Sequence, residues 1–293
     1  CPTGHKDLLK SGNYKRNIMD FDLFKNVIDQ IAQFDSNLKT LRLNKIGEPT
    51  LNKHLPEMIK YAKKTKKINW IDFATNGFRL TNEFSKKIIE SEVDRINISL
   101  EGISEEDYLK NAKIKIDFKE FIANLEYLFK EKKNTEILIK IPDNLVPTDD
   151  KKKYFLNTFG NICDLIFIEQ LSPIWPNFDL EQRSGHKISN IGQYKMPKMN
   201  NVVCSVIFYS MTINSDGTVS ACCSDWNQEL IIGNTNENSL KEIWESEKLK
   251  ILQKLHLLKK RNSHSTCATC NHPNTAQIDQ IDNYAQKILK NLN

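Results

Sequence analysis

From residue 38 to residue 169 the sequence switches repeatedly between two hydrophobic periods. Apolar runs of strand length at 38–44, 68–74, 94–100, 135–141 and 163–169 alternate with amphipathic stretches at 51–65, 81–91, 117–131 and 149–159. In the clearest of these stretches Phe118, Phe121, Ile122, Leu125 and Leu128 recur at the spacing of one helical face. An earlier stretch, 21–34, does the same with Phe21, Phe24, Val27, Ile28, Ile31 and Phe34. Strands that alternate with helices are joined by crossovers, and crossovers build a parallel sheet. Five such runs suit a closed or partly closed barrel as well as an open sheet, and periodicity does not choose between them.

Each strand-like run ends in a polar turn. These are Gly47-Glu48-Pro49-Thr50, Thr75-Asn76-Gly77, Ser99-Leu100-Glu101-Gly102, Lys140-Ile141-Pro142-Asp143-Asn144 and Glu169-Gln170. In parallel α/β folds the carboxyl ends of the strands share one face, where active sites form. Taken alone, Asn-Gly after a strand is ordinary turn chemistry. The succession of polar turns at strand ends is what marks a candidate site.

The pattern breaks at 171–203, a stretch rich in Pro, Asn, Ser and Lys that reads as a long connection or a substrate-facing loop. A new unit opens at Cys204. Residues 206–213 read as a strand, Ser215-Asp216-Gly217 as a hairpin turn, 218–222 as the return strand, and 239–258 and 277–291 as helices.

Of the seven cysteines, Cys1, Cys163, Cys204, Cys222, Cys223, Cys267 and Cys270, five fall in the last third. A lysine-rich chain with no apolar run of membrane-spanning length is expected in the cytoplasm, where clustered cysteines bind metal more often than they form disulfides. The hairpin would supply Cys204 and Cys222, and Cys267-x2-Cys270 two more. Four thiolates make a closed site for Zn²⁺ or a [4Fe–4S] cluster. A zinc ribbon usually has two Cys-x2-Cys knuckles and this chain has one, which favours iron–sulfur. Cys223, next to Cys222 on a strand, would point to the other face and not ligate. Cys163 opens an apolar run and reads as a buried core thiol. None of the six histidines forms a paired ligand spacing, although His264 and His272 flank the Cys-x2-Cys turn. The net charge of +5 comes from 42 basic and 37 acidic residues, and runs such as Lys63, Lys64, Lys66 and Lys67 read as solvated helix faces, not a nucleic-acid surface.

Cys1-Pro2 near the start, then Gly-Glu-Pro, Thr-Asn-Gly and Ser-Leu-Glu-Gly at successive strand ends, resembles the radical S-adenosylmethionine superfamily. The resemblance implies a partial (β/α)6 TIM-like barrel over residues 1–172. It also implies a Cys-x3-Cys-x2-Cys loop that ligates a [4Fe–4S] cluster, whose free iron binds S-adenosylmethionine for one-electron cleavage to a 5′-deoxyadenosyl radical. Cys1 would be the last cysteine of that loop, with the first strand and the other two cysteines upstream. Gly47, Glu48 and Pro49 match the turn whose backbone receives the methionyl ammonium group, with Ile46 where the family usually has a further glycine. Ser99 and Glu101 match the polar pair that faces the ribose, and Asn76 the lining of the cofactor pocket. Lys140 would partner the carboxylate.

Twelve residues separate Cys204 from Gly217 and four more separate Gly217 from Cys222. Together with Cys267 and Cys270 this resembles the SPASM/twitch module, a small α+β iron–sulfur domain with a β-hairpin. It is expected over 204–293, behind a connection at 173–203, with one auxiliary [4Fe–4S] cluster because no cysteine follows Cys270. The resemblance implies hydrogen abstraction from a substrate, and a two-electron oxidation of a carbohydrate-like alcohol is the expected outcome. Lys140, Glu169 and His186 are the candidate bases, and a flavodoxin- or ferredoxin-type protein the electron donor. Two alternatives stay open: a peptide- or protein-modifying maturase, and a metal-binding protein without radical activity.

Overall fold

The computed structural model describes residues 2–13 and 17–292. It divides into two compact units. One is Asp20–Glu169; the other gathers the described residues before Asp20 with those from Gln170 onward.

In the first unit, β1 (Leu41–Arg42), β2 (Ile71–Thr75), β3 (Arg95–Ser99), β4 (Glu136–Pro142) and β5 (Leu165–Glu169) form one sheet in sequence order. All four pairings are parallel. This is the parallel sheet that the strand–helix alternation predicts, and it agrees with the partial barrel that the resemblance implies. The helices between the strands span Leu55–Lys64, Asn82–Ile89, Phe118–Glu131 and Asp149–Phe159, and Phe21–Ile31 precedes β1. Four of these five starts are set by side-chain caps: Asp20, Thr81, Asp117 and Thr148 each accept a backbone N–H from the first turn. The short helix Glu105–Asn111, capped by Ser104, was not expected from periodicity. It has too few turns to show a period.

The core lies between sheet and helices. Ile71, Phe73, Ile96, Ile98, Ile139 and Ile141 are fully enclosed, as are Ile28, Ile59 and Ile88 on the helices. Burial on both faces explains why Ile137, Leu138 and Ile139 read as an unbroken apolar run. Tyr108, Phe118, Phe121, Phe155 and Phe159 add a chain of ring contacts. Cys163 is buried there, as expected of a core thiol, and its Sγ donates to the Phe159 carbonyl at 3.2 Å.

The second unit differs from expectation in detail. Residues 206–213 are not one strand: Val206–Phe208 is a turn of 3-10 helix, and only Thr212–Ile213 forms β6. Val206 and Ile207 are both buried, so the apolar run lacks the alternation a half-buried strand needs. The hairpin turn at Gly217 forms, with φ +87°. β7 (Thr218–Ser220) then pairs on its other side with β8 (Ile231–Asn234), an unforeseen third antiparallel strand. The expected helix at 239–258 is two, Leu240–Trp244 and Glu247–Leu257, because Ser246 caps the second. At 277–291 regular helix is confined to Ala285–Lys290. Within this unit the N-terminal segment is fastened by an ion pair of Asp7 with Arg183 (2.9 Å) and by Asn13 N–H donating to Asn227 Oδ1 (2.8 Å). No helix among the described residues is long and apolar enough to cross a membrane.

Gly77 holds φ +79°, and a Cβ there would lie 3.1 Å from Ile98 Cγ2 and 3.2 Å from Phe121 Cε2. Both the left-handed backbone and the close packing call for glycine. Gly77→Ala is expected to lower stability by about 1–2 kcal/mol, read as a shifted urea midpoint. An unchanged midpoint would show that the turn relaxes freely.

Candidate functional site

At the carboxyl edge of the sheet the first two polar turns are tied together by one carboxylate. Glu48 Oε1 accepts from Thr50 N (3.0 Å), Thr50 Oγ1 (2.7 Å) and Thr75 Oγ1 (2.7 Å), and its Oε2 accepts from Asn76 N (2.8 Å). The Glu48 side chain is therefore engaged inside the protein, and what its turn offers outward is backbone. Gly47, at φ +93°, gives that backbone its bend. Asn76 turns its side chain back to accept from Phe78 N (3.0 Å).

The next turns come level through the strand register, which sets Ser99 opposite Lys140 and Pro142 opposite Glu169. Ser99 and Glu101 are partly buried. Burial holds the Glu101 carboxyl above its ordinary range, and the Glu48 carboxylate pushes the same way. Lys140 Nζ and Glu169 Oε2 form an ion pair at 2.7 Å with both side chains largely shielded. Two residues singled out separately in the sequence thus meet. His186, the third candidate base, is exposed in the second unit. Cys1 lies outside the described residues.

The second unit carries its own site. Cys204, Cys222, Cys267 and Cys270 line one cavity, together with His256 and Arg261. All four are free thiols. Cys267 and Cys270 are held by a short helix, Ser265–Thr269, and by Arg261, whose Nη1 donates to both of their carbonyls at 2.7 and 3.2 Å. The loop after Cys222 is shaped by buried Asp225, which accepts from Glu229 N (2.9 Å) and Leu230 N (3.0 Å). Burial pushes the Cys204 thiol up to about 12 and the Cys267 thiol up to about 11.

The hairpin strands do not supply Cys204 and Cys222, contrary to expectation. Cys204 precedes the 3-10 turn and Cys222 follows β7, so neither is on a strand. Strand alternation therefore does not separate Cys223 from Cys222. Their thiols lie together with His272, the three ligand atoms all within 4.8 Å of one another. Among the described residues, this trio and not the cavity's four cysteines gathers that closely. Its one buried member, Cys222, also faces the cavity. His256 and Arg261 were not singled out from the sequence. The available signal for His256 is its place on the buried helical face of Leu249, Leu252 and Leu257.

If Glu48 braces the turns as its bonds indicate, Glu48→Ala orphans Thr50 N and Asn76 N and should cost about 2–3 kcal/mol of unfolding free energy. Chemical denaturation measures this, and a loss within error would assign the turns' order to other contacts.

Residues 1–145 match the family described as the Radical SAM superfamily, and residues 204–271 match the iron–sulfur cluster-binding domain called SPASM. The chain is 34% identical over 83 residues to the tungsten-containing aldehyde ferredoxin oxidoreductase cofactor-modifying protein of Pyrococcus furiosus, covering 28% of this chain and 22% of that protein. It is 27% identical over 82 residues to the S-adenosyl-L-methionine-dependent 2-deoxy-scyllo-inosamine dehydrogenase of Niallia circulans, covering 28% and 33%. These matches thus span a third or less of the curated relatives' lengths. Among solved structures, BtrN in complex with AdoMet and 2-DOIA shares the fold, with a TM-score of 0.60 and 19% identity over 94% of this chain and 89% of that one.

Proposed function

The chain belongs to the radical SAM superfamily and carries a SPASM iron–sulfur domain, and on that premise we propose that it serves as an iron–sulfur oxidoreductase that removes hydrogen from an alcohol carbon of a carbohydrate-like substrate. The carrying observation is the cavity lined by Cys204, Cys222, Cys267 and Cys270. Around a single zinc ion, sulfurs at about 2.3 Å from the metal crowd to roughly 3.8 Å from one another. The four cavity cysteines do not gather even to 4.8 Å, a spread that suits a polynuclear cluster better than one ion.

S-adenosylmethionine bound to a [4Fe–4S] cluster supplies one-electron cleavage and hydrogen-atom abstraction, and an auxiliary [4Fe–4S] cluster supplies an acceptor for the second electron. The protein's part is to hold and orient. The turn at Gly47, Glu48 and Pro49 would present backbone to the cofactor's methionyl end, stiffened by the hydrogen bonds of the Glu48 carboxylate. Asn76, Ser99 and Glu101 would line the nucleoside side. Oxidation of an alcohol also requires loss of the hydroxyl proton. Of the candidate bases we favour Glu169, oriented by Lys140, over the exposed His186. The alcohol reading draws on the inosamine dehydrogenase relative. A flavodoxin or ferredoxin would deliver the first electron.

The first test is iron and acid-labile sulfide in the anaerobically reconstituted chain, beside a variant with Cys204, Cys222, Cys267 and Cys270 all changed to Ala. Loss of about four irons is expected; zinc in their place would overturn the cluster reading. The second test supplies an aminocyclitol deuterated at the carbinol carbon together with S-adenosylmethionine and a reductant. Deuterium in 5′-deoxyadenosine supports alcohol oxidation, whereas label transfer from a peptide instead would replace it with the maturase reading.

A further inference from the structure

His256 sits on the helix Glu247–Leu257 with 1% of its surface exposed, and it lines the cavity of the four cysteines. Its two ring nitrogens are in different positions. Nδ1 accepts the backbone N–H of Cys204 at 3.4 Å. Nε2 is buried and has no partner among the described residues.

The first contact fixes the second. A nitrogen that accepts a hydrogen bond carries no proton, so the ring is neutral and its one proton is on Nε2. The tautomer follows from the bond to Cys204. It also means that Nε2 cannot ligate a metal without the ring losing its last proton. Nε2 is thus a donor with nothing to donate to, and buried donors left without an acceptor are rare in folded proteins. The cavity is also lined by the four thiols, Arg261, Asp225, Ser224, Thr266, His272 and apolar side chains; none of these bonds Nε2, and the two Asp225 carboxylate oxygens already accept from Glu229 N and Leu230 N. Arg261 is itself a donor, and its Nη1 is directed at the carbonyls of Cys267 and Cys270. The missing acceptor must lie in the cavity itself, and what four cysteines would bring there is sulfur carrying negative charge.

We propose that His256 Nε2–H donates a hydrogen bond to a sulfur, inorganic sulfide or cysteine thiolate, of the cluster held in this cavity, and so raises that cluster's reduction potential. The inference rests on the reading that the four cysteines hold a cluster. Hydrogen bonds to the sulfurs stabilise the more negative, reduced state and are among the factors that set such potentials. The same histidine, through Nδ1, orients the backbone at Cys204, so one ring fastens a ligand and polarises the group that the ligand binds. His256 is a positioning residue: it acts on the cluster and not on the substrate.

The test uses the anaerobically reconstituted full chain and two variants, His256→Gln, which keeps an N–H donor, and His256→Leu, which keeps bulk without one. Iron and sulfide are counted first, and the midpoint potential of the cluster that depends on Cys204, Cys222, Cys267 and Cys270 is then followed by electron paramagnetic resonance. With iron retained, His256→Leu should lower the ratio of reduced to oxidised cluster at fixed potential about tenfold, while His256→Gln stays close to the parent. An unchanged potential in an iron-replete His256→Leu protein overturns the inference and leaves the cluster reading standing. If His256→Leu does not retain iron, the parent protein decides. With ¹⁵N-histidine, nitrogen coupling to the reduced cluster that disappears in His256→Gln supports the hydrogen bond, and its absence refutes it. A parent protein without cluster iron overturns the four-cysteine reading itself, and the inference with it.

Discussion

The parallel register of β3, β4 and β5 is the constraint from which the candidate active-site edge follows. Backbone hydrogen bonds set Ser99 against Lys140 and Pro142 against Glu169. A slip of one residue would turn each polar strand end to the opposite face and take Ile139 and Ile141, both fully enclosed, away from the side chains they pack on. The apolar interior therefore fixes the register, and the register levels the polar ends. The Lys140–Glu169 ion pair exists because two neighbouring strands are locked at one height. Glu48 performs a similar levelling between the turns after β1 and β2, with hydrogen bonds from side chains and backbone in place of strand pairing.

Much of this was legible in the sequence where the physics is local. Buried strands declare themselves as runs such as Ile137-Leu138-Ile139, and Leu125 and Leu128 mark a helix face by spacing alone. What needed the folded chain was pairing at a distance. Lys140 and Glu169 lie 29 residues apart, and nothing in either turn announces the other. The reading of 206–213 as a strand failed because Val206 and Ile207 are both enclosed, and a fully buried turn has no alternation to betray it. That error displaced Cys204 and Cys222 from a hairpin, and removed the geometric reason for setting Cys223 apart.

The four cysteines of the second unit come from three places in the chain, and each is positioned by something other than sulfur. Asp225 shapes the loop after Cys222, Arg261 clamps the carbonyls of Cys267 and Cys270, and the His256 ring meets the N–H of Cys204. Around them Val219, Ala221, Leu249 and Ile243 are buried with Cys204, Cys222 and Cys267 in one apolar cluster. The protein thus builds the wall of the cavity from ordinary packing and polar contacts, and the thiols face a space already bounded by them.

The attachment of the N-terminal segment has a consequence for the order of events on the ribosome. Asp7 meets Arg183 across 176 residues, and Asn13 meets Asn227 across 214. The segment emerges ahead of Asp20–Glu169, yet its partners are made only after the whole of that unit has been translated. That intervening unit has its own core and can condense while the segment waits. Once it has done so, the loop that the Asp7–Arg183 contact must close contains mostly ordered chain, which lowers the entropy lost on closure. Residues synthesised ahead of that unit are thus placed only after it.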